Sequence, residues 1–205
     1  MVQTSVKQDP LLERLLGGGV LISDGATGTY LQSHGLEPGG CPEEFNASHP
    51  ETVRQMAKDY FDAGSDMVLT NSFGANKFML TKYGHGDRVA ELNRLAAQHA
   101  RSAAPPGGLV AGSVGPSGEF LEPLGEVTNA EMLEAFVEQV TALAEGGADA
   151  ILIETMTALE EATLAIKAVK EATDLPVIAT MTYDKGPRGF FTMMGVQPER
   201  AVVEL

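Results

Sequence analysis

Apolar residues in this chain fall into short unbroken runs. Each run is followed by a polar loop, glycine-bearing after the first three runs, and most of the loops lead into a stretch with helical spacing. The runs are Val20-Leu21-Ile22, Asp66-Met67-Val68-Leu69, Leu109-Val110-Ala111, Ala150-Ile151-Leu152-Ile153 and Val177-Ile178-Ala179-Thr180-Met181. None alternates apolar with polar, which predicts strands buried on both faces, as in a parallel sheet. Between them, one helical face is predicted by Val53, Met56, Ala57, Tyr60 and Phe61, and a second by Val89, Leu92, Leu95 and Ala96 over about Asp87 to Ser102. Met132, Phe136, Val140 and Leu143 mark a third, and Leu164, Val169 and Ala172 a fourth. Ser48 with Glu51, Thr128 with Glu131, and Thr157 with Glu160 each place a hydroxyl three residues before a glutamate, the spacing of a capping box. A first helix is predicted behind Asp9-Pro10, carrying Leu11, Leu12, Leu15 and Leu16 and stopped by Gly17-Gly18-Gly19; Pro198 opens a last one.

The order is thus βα repeated about five times. Two α/β architectures accommodate it, a doubly wound open sheet and a (β/α)8 TIM barrel. No single Gly-x-Gly-x-x-Gly loop dominates, and glycine-bearing loops recur after successive strands, which suits the barrel better. A barrel needs eight strands and typically ~250 residues, so these 205 residues supply about the first five βα units. Residues 1–205 are expected to form the N-terminal portion of one barrel domain, since no composition shift marks a second.

Composition narrows the partners. Apolar content of 43% and charged content of 20% are those of an ordinary soluble protein. A net charge of −14 argues against nucleic acid or an anionic membrane as partner. The one cysteine, Cys41, excludes an intrachain disulfide and fits a reducing compartment. No apolar run approaches the ~18 residues of a membrane span, and no apolar segment of a signal peptide follows the N-terminus. The cytoplasm is the expected location.

The candidate chemistry sits in the loops. Asp24-Gly25-Ala26-Thr27-Gly28-Thr29 offers a carboxylate at a strand end and small residues that let backbone approach a ligand; equally, it reads as a tight turn in which Asp24 bonds its own backbone. Glu154 follows four apolar residues, and a carboxylate at the end of a buried strand is costly unless paired. It either meets a cationic ligand group or caps a neighbouring loop; Asp24 and Glu154 together could hold one ammonium group. Asn71-Ser72-Phe73 sets polar groups beside an aromatic wall, as at a pocket rim or in ordinary loop packing. Ser113 and Ser117 read as loop packing. His34, Cys41 and His49 are spaced too irregularly for a structural zinc site. No Ser-His-Asp set, phosphate-binding loop or Cys-x-x-Cys pair is present.

Taken in order, four segments resemble the homocysteine S-methyltransferase family: Asp24-Gly25-Ala26-Thr27-Gly28-Thr29, Leu69-Thr70-Asn71-Ser72-Phe73-Gly74-Ala75-Asn76, Gly115-Pro116-Ser117-Gly118-Glu119 and Ile153-Glu154-Thr155. The likeness runs from about Leu15 to the end and is greatest to the cobalamin-dependent, methionine synthase branch. The betaine- and S-methylmethionine-using branches look less similar in the Asn71 loop and around Gly115.

What the resemblance implies is a barrel that binds homocysteine at its top face. Asp24 and Glu154 would engage the amino group, backbone of Gly25, Ala26 and Thr27 the carboxylate, and Asn71 and Ser72 would complete the pocket. It also implies a zinc ion, held by three cysteines, that activates the thiol. The implied methyl donor is a methylcorrinoid carried by a corrinoid protein or cobalamin domain and recharged from methyltetrahydrofolate. Cys41 matches none of the zinc positions, so the ligand cysteines are expected beyond residue 205. Two other readings stay open: a corrinoid-linked methyltransferase with another donor or thiol, and a non-catalytic half-barrel that docks on a partner chain.

Overall fold

The computed structural model describes residues 10–205. Asp9, the expected cap of the first helix, lies outside the described residues. Helices α1 (Pro10–Leu16), α2 (Thr27–Ser33), α3 (Phe45–Ser48) and α4 (Pro50–Asp62) precede strand β1 (Met67–Leu69), and a 3-10 turn covers Pro42–Glu44. Then follow α5 (Lys77–Lys82), α6 (Val89–Ala103), β2 (Leu109–Val114), α7 (Asn129–Glu145), β3 (Ala150–Met156), α8 (Leu159–Ala172) and β4 (Val177–Met181). A short antiparallel hairpin, β5 (Asp184–Gly186) and β6 (Gly189–Phe191), leads to α9 (Pro198–Glu204).

The four long-range strands form one parallel sheet in the order β1-β2-β3-β4. Every residue of β2 is buried, as expected for a strand covered on both faces. Four of the five predicted strands are therefore present. The fifth, Val20-Leu21-Ile22, is reduced to a single parallel bridge, Ser23 to Met67. The segment still lies along the β1 edge, where Ile22 O accepts from Asp66 N–H at 2.8 Å and Asp24 N–H donates to Met67 O at 3.1 Å. Its side chains gain little cover: Val20 is 86% and Ile22 57% exposed. Three apolar residues beside a glycine triplet do not outweigh the entropy of ordering a full ladder.

The largest core lies between α7, α8 and the sheet. Phe136, Met132, Val140 and Leu143 of α7 meet Val114, Ile151, Ile153 and Met156 of the strands and Ala162, Ala165, Ile166 and Val169 of α8. The four α7 residues and Val169 are ones that the helical spacing assigned inward, and Leu164 and Ala172, assigned with Val169, are partly buried against the cluster. Of the three predicted capping boxes, one forms. Thr128 Oγ1 accepts from Glu131 N–H at 3.2 Å, and the Glu131 carboxylate accepts from Thr128 N–H at 2.9 Å. We expect Thr128→Ala to lower stability by about 1 kcal/mol, read from the chemical denaturation midpoint; an unchanged midpoint would show that α7 does not depend on its cap.

The other two boxes are corrected by the structure. At the start of α4 the cap position is His49, with Pro50 in the first turn, and Ser48 Oγ bonds back to Glu44. The proline sets the helix start without a hydroxyl. At α8 the cap position is Ala158 rather than Thr157. That shift puts Glu161 at the third helical position, where its carboxylate is buried and accepts from Ser117 N–H at 2.7 Å.

Candidate functional site

The loops at the carboxyl ends of the strands meet around one cavity of about 330 Å³, within the size range of small-molecule sites. Gly25, Ala26, Thr27, Asn71, Ser72 and Glu154 all line it. So do Pro42, Glu43, Thr70, Phe73 and Ser113. Parallel strands bring these residues together because each βα unit delivers its loop to the same end of the sheet.

Glu154 owes its position to a break in β3. Ile153 pairs with Ala179 and Met156 with Met181, so Glu154 and Thr155 together oppose Thr180. Such a bulge re-aims a side chain. Thr155 absorbs it at φ 63°, a conformation unfavourable to a β-branched residue. Strain of this kind costs about 1–3 kcal/mol and concentrates at functional sites. The Glu154 carboxylate turns to the cavity and accepts from Ser113 Oγ at 2.6 Å. Ser113, which reads in the sequence as loop packing, is thus both a lining residue and the support of Glu154. Ser117 fits its reading: it is buried and binds within its own loop, its Oγ accepting from Glu119 N–H at 3.2 Å.

Asp24 stands behind the lining. Its Oδ2 accepts from Leu69 N–H at 2.9 Å and its Oδ1 from Ser23 Oγ at 3.1 Å. Burial raises its pKa to about 6, against those hydrogen bonds, and the charge of Glu154 pushes in the same direction as burial. The tight-turn reading holds in part, since Asp24 bonds its own backbone as well as that of Leu69. It also lies within electrostatic reach of Glu154. Gly25 is the residue that keeps the wall thin: a Cβ there would come within 3.1 Å of Tyr60 Oη, and that hydroxyl donates to Ala26 O at 3.0 Å.

The Asn71 amide is fully engaged on its nitrogen, donating to Pro42 O at 2.7 Å and to Asn46 Oδ1 at 3.0 Å. Ser72 Oγ donates to Ser113 O at 2.7 Å and pairs with Thr70 Oγ1 at 2.5 Å. Glu43 is the lining residue that sequence reasoning missed. Its carboxylate is buried and accepts from Gly74 N–H at 2.7 Å and from Cys41 Sγ–H at 3.4 Å. The partner that fixes it lies 31 residues away, and no local spacing signals such a pairing. Gly74 is small for the same reason, since a Cβ would sit 2.9 Å from Glu43 Oε1.

The lining carries two carboxylates, Glu43 and Glu154, with Asp24 close behind, and no Lys, Arg or His. A cavity of this composition favours a cationic group and disfavours a free anion. Cys41 is not among the lining residues. Burial, reinforced by the charge of Glu43, pushes its thiol up to about 12, which disfavours the thiolate that a metal ligand requires. Among the described residues no group of three or more His, Cys, Asp or Glu side chains could hold a metal ion. Also among the described residues, no helix is long and apolar enough to cross a membrane.

A parallel βα sheet whose strand-end loops enclose an acidic, small-molecule-sized cavity defines the α/β class that includes the TIM barrels; here the described sheet has four strands. The comparisons with known proteins name the family. Residues 21–205 match the homocysteine S-methyltransferase family. Methionine synthase of Mycobacterium tuberculosis is 35% identical over 184 residues, covering 80% of this chain and 15% of that protein. Betaine–homocysteine S-methyltransferase 1 of Mus musculus is 34% identical over 203 residues, covering 95% of this chain and 47% of that protein. In structure, the oxidized form of the homocysteine methyltransferase MmuM from Escherichia coli superposes with a TM-score of 0.76 at 24% identity, covering 97% of this chain and 73% of that one. The chain belongs to the homocysteine S-methyltransferase family. It spans about half the length of the mouse enzyme and a smaller share of the bacterial one. Identities of 35% and 34% do not separate the methionine synthase branch from the betaine branch.

Proposed function

We propose that this chain forms the homocysteine-binding part of a methyltransferase that moves a methyl group to the homocysteine thiol, giving methionine. The observation that carries the reading is the acidic cavity lined by Glu154, Ser72, Asn71 and the Gly25–Thr27 loop, without a cationic side chain. In this reading Glu154 and Asp24 hold the substrate ammonium, and Gly25, Ala26 and Thr27 present backbone to its carboxylate. Ser113 keeps the Glu154 carboxylate in place. Clamping the amino acid end leaves the thiol to project toward the mouth, so the sulfur meets its donor in one orientation.

The resemblance adds a zinc ion at the thiol. Residues 10–205 do not fit it: no group of three or more His, Cys, Asp or Glu side chains among them could hold a metal ion, and burial keeps the Cys41 thiol protonated. In this reading the ligand cysteines, and the strands that would complete a (β/α)8 barrel, lie beyond residue 205. Cys41→Ser is accordingly expected to leave the zinc content of the purified protein unchanged, measured by elemental analysis. A loss of zinc would make Cys41 a ligand.

For the donor, the loop sequences favour a methylcorrinoid supplied by a cobalamin domain or corrinoid protein. The comparable identity to a betaine-using relative supports a second reading with betaine in that place. One assay separates them. The complete protein is supplied with homocysteine, zinc and methylcobalamin, betaine or S-methylmethionine in turn, and methionine is measured. Methionine with methylcobalamin alone supports the first reading and with betaine alone the second. No methionine above the enzyme-free control with any donor contradicts the proposed activity.

A further inference from the structure

The loop that carries Asn71 and Ser72 is held from behind in an unusual way. Three side-chain amides from three different helices each donate to one of its carbonyls. Asn46 of α3 donates to Asn71 O at 2.8 Å, Gln139 of α7 to Ser72 O at 2.8 Å, and Asn93 of α6 to Ala75 O at 2.8 Å. All three amides are buried, Gln139 and Asn93 at 0% exposure. Gln139 lies among the apolar inward positions of α7, one residue before Val140 and three after Phe136, where the helical pattern calls for an aliphatic side chain. Nor is its burial fully compensated. Gln139 Oε1 and Asn93 Oδ1 are the two buried side-chain polar atoms, among the described residues, without a partner. An unpaired buried oxygen is destabilising; an apolar side chain of the same shape would remove it, and Ser72 O, though losing the Gln139 donor, would keep Ala75 N–H at 3.0 Å. A glutamine at position 139 is therefore a poor choice for the core and a suitable one for the loop.

What the loop gains is a fixed face toward the cavity. Ser72 O accepts from Gln139 at 2.8 Å and from Ala75 N–H at 3.0 Å, and on the loop held in this way the Ser72 hydroxyl bridges Ser113 O and Thr70 Oγ1. Ser113 in turn supports Glu154 at 2.6 Å. The chain of contacts runs Gln139, Ser72, Ser113, Glu154, from the core of α7 to the carboxylate at the cavity.

We propose that Gln139 is a positioning residue for the homocysteine site, acting through Ser72 on Ser113 and Glu154 rather than by touching the substrate. The inference rests on the homocysteine reading above. Its test is Gln139→Met, which keeps the volume and removes both the donor and the unpaired oxygen. Homocysteine affinity by calorimetry is expected to fall about tenfold, the loss typical when the support of a site residue is removed. The thermal midpoint is expected to stay level. A double-mutant cycle with Ser72→Ala should show non-additive losses, because both changes break one chain of contacts. Wild-type affinity in Gln139→Met, or strictly additive losses, overturns the proposal.

A wild-type protein that fails to bind homocysteine overturns instead the reading on which it rests, and the two failures are distinct. Should Gln139→Met not fold, hydrogen exchange in the wild-type protein decides. The amides of Ser72 and Ala75, bonded within the loop at 2.9 and 3.0 Å, are expected to exchange as slowly as those of β2. Exchange at the rate of an open surface loop overturns the proposal.

Discussion

Glu154→Gln is expected to weaken homocysteine binding roughly thirtyfold, about 2 kcal/mol, while leaving the fold intact. The substitution keeps an oxygen that can accept from Ser113 Oγ, so the contact that orients the side chain survives. It removes the negative charge that would face the substrate ammonium. In a cavity whose lining has no cation, that charge has no internal partner to release. Its loss also relieves the repulsion that Glu154 exerts on Asp24. The thermal midpoint of Glu154→Gln should therefore match the wild type or exceed it slightly. Calorimetric titration with homocysteine, alongside thermal unfolding, checks both halves. Equal affinity in wild type and variant would remove Glu154 from the clamp, and a collapse of the midpoint would make it a structural residue.

Homocysteine affinity is expected to rise with pH through about 6 and to level off above it. Asp24 is the cause, because burial raises its pKa from 3.8 to about 6. In the ligand-free protein the folded state then binds protons more readily than the unfolded state. Asp24 thus contributes stability that is fully present below its unfolded value and is lost as pH rises through about 6. An ammonium group placed beside the ionised carboxylate reverses the preference, so binding below pH 6 must expel a proton. At about pH 4.5 only about one Asp24 in thirty is ionised, and affinity should be about thirtyfold weaker than above about pH 7. Asp24→Asn should flatten this profile. Calorimetry across the pH range checks the prediction, and a flat profile in the wild type would detach Asp24 from the site.

The parallel βα order, four of five strands and the inward face of α7 were legible in the sequence because they rest on local patterns. Phe136, Val140 and Leu143 repeat at helical spacing, and Ala150 to Ile153 form a run too short for a helix. The loops were legible as loops, and six of the seven residues singled out from them line one cavity. Asp24, the seventh, is set just behind it, since Leu69 N–H draws its carboxylate to the neighbouring strand. The departures have nonlocal causes. Val20-Leu21-Ile22 has the composition of a strand but only a one-residue bridge to β1. Thr157 has the spacing of a cap, yet Glu161 is drawn instead to Ser117, 44 residues away. Glu43, Asn46 and Gln139 each bind a backbone group of the Asn71 loop from a distant position, and nothing in their own neighbourhoods announces it.

Recognition of the homocysteine amino group by the acidic cavity is the central claim. The direct measurement is calorimetric binding of homocysteine against 4-mercaptobutyrate, which keeps the thiol and the carboxylate but lacks the ammonium. Clear binding of homocysteine, with little or none of the deaminated analogue, is the predicted result. Equal affinities, or no binding of homocysteine, would contradict it.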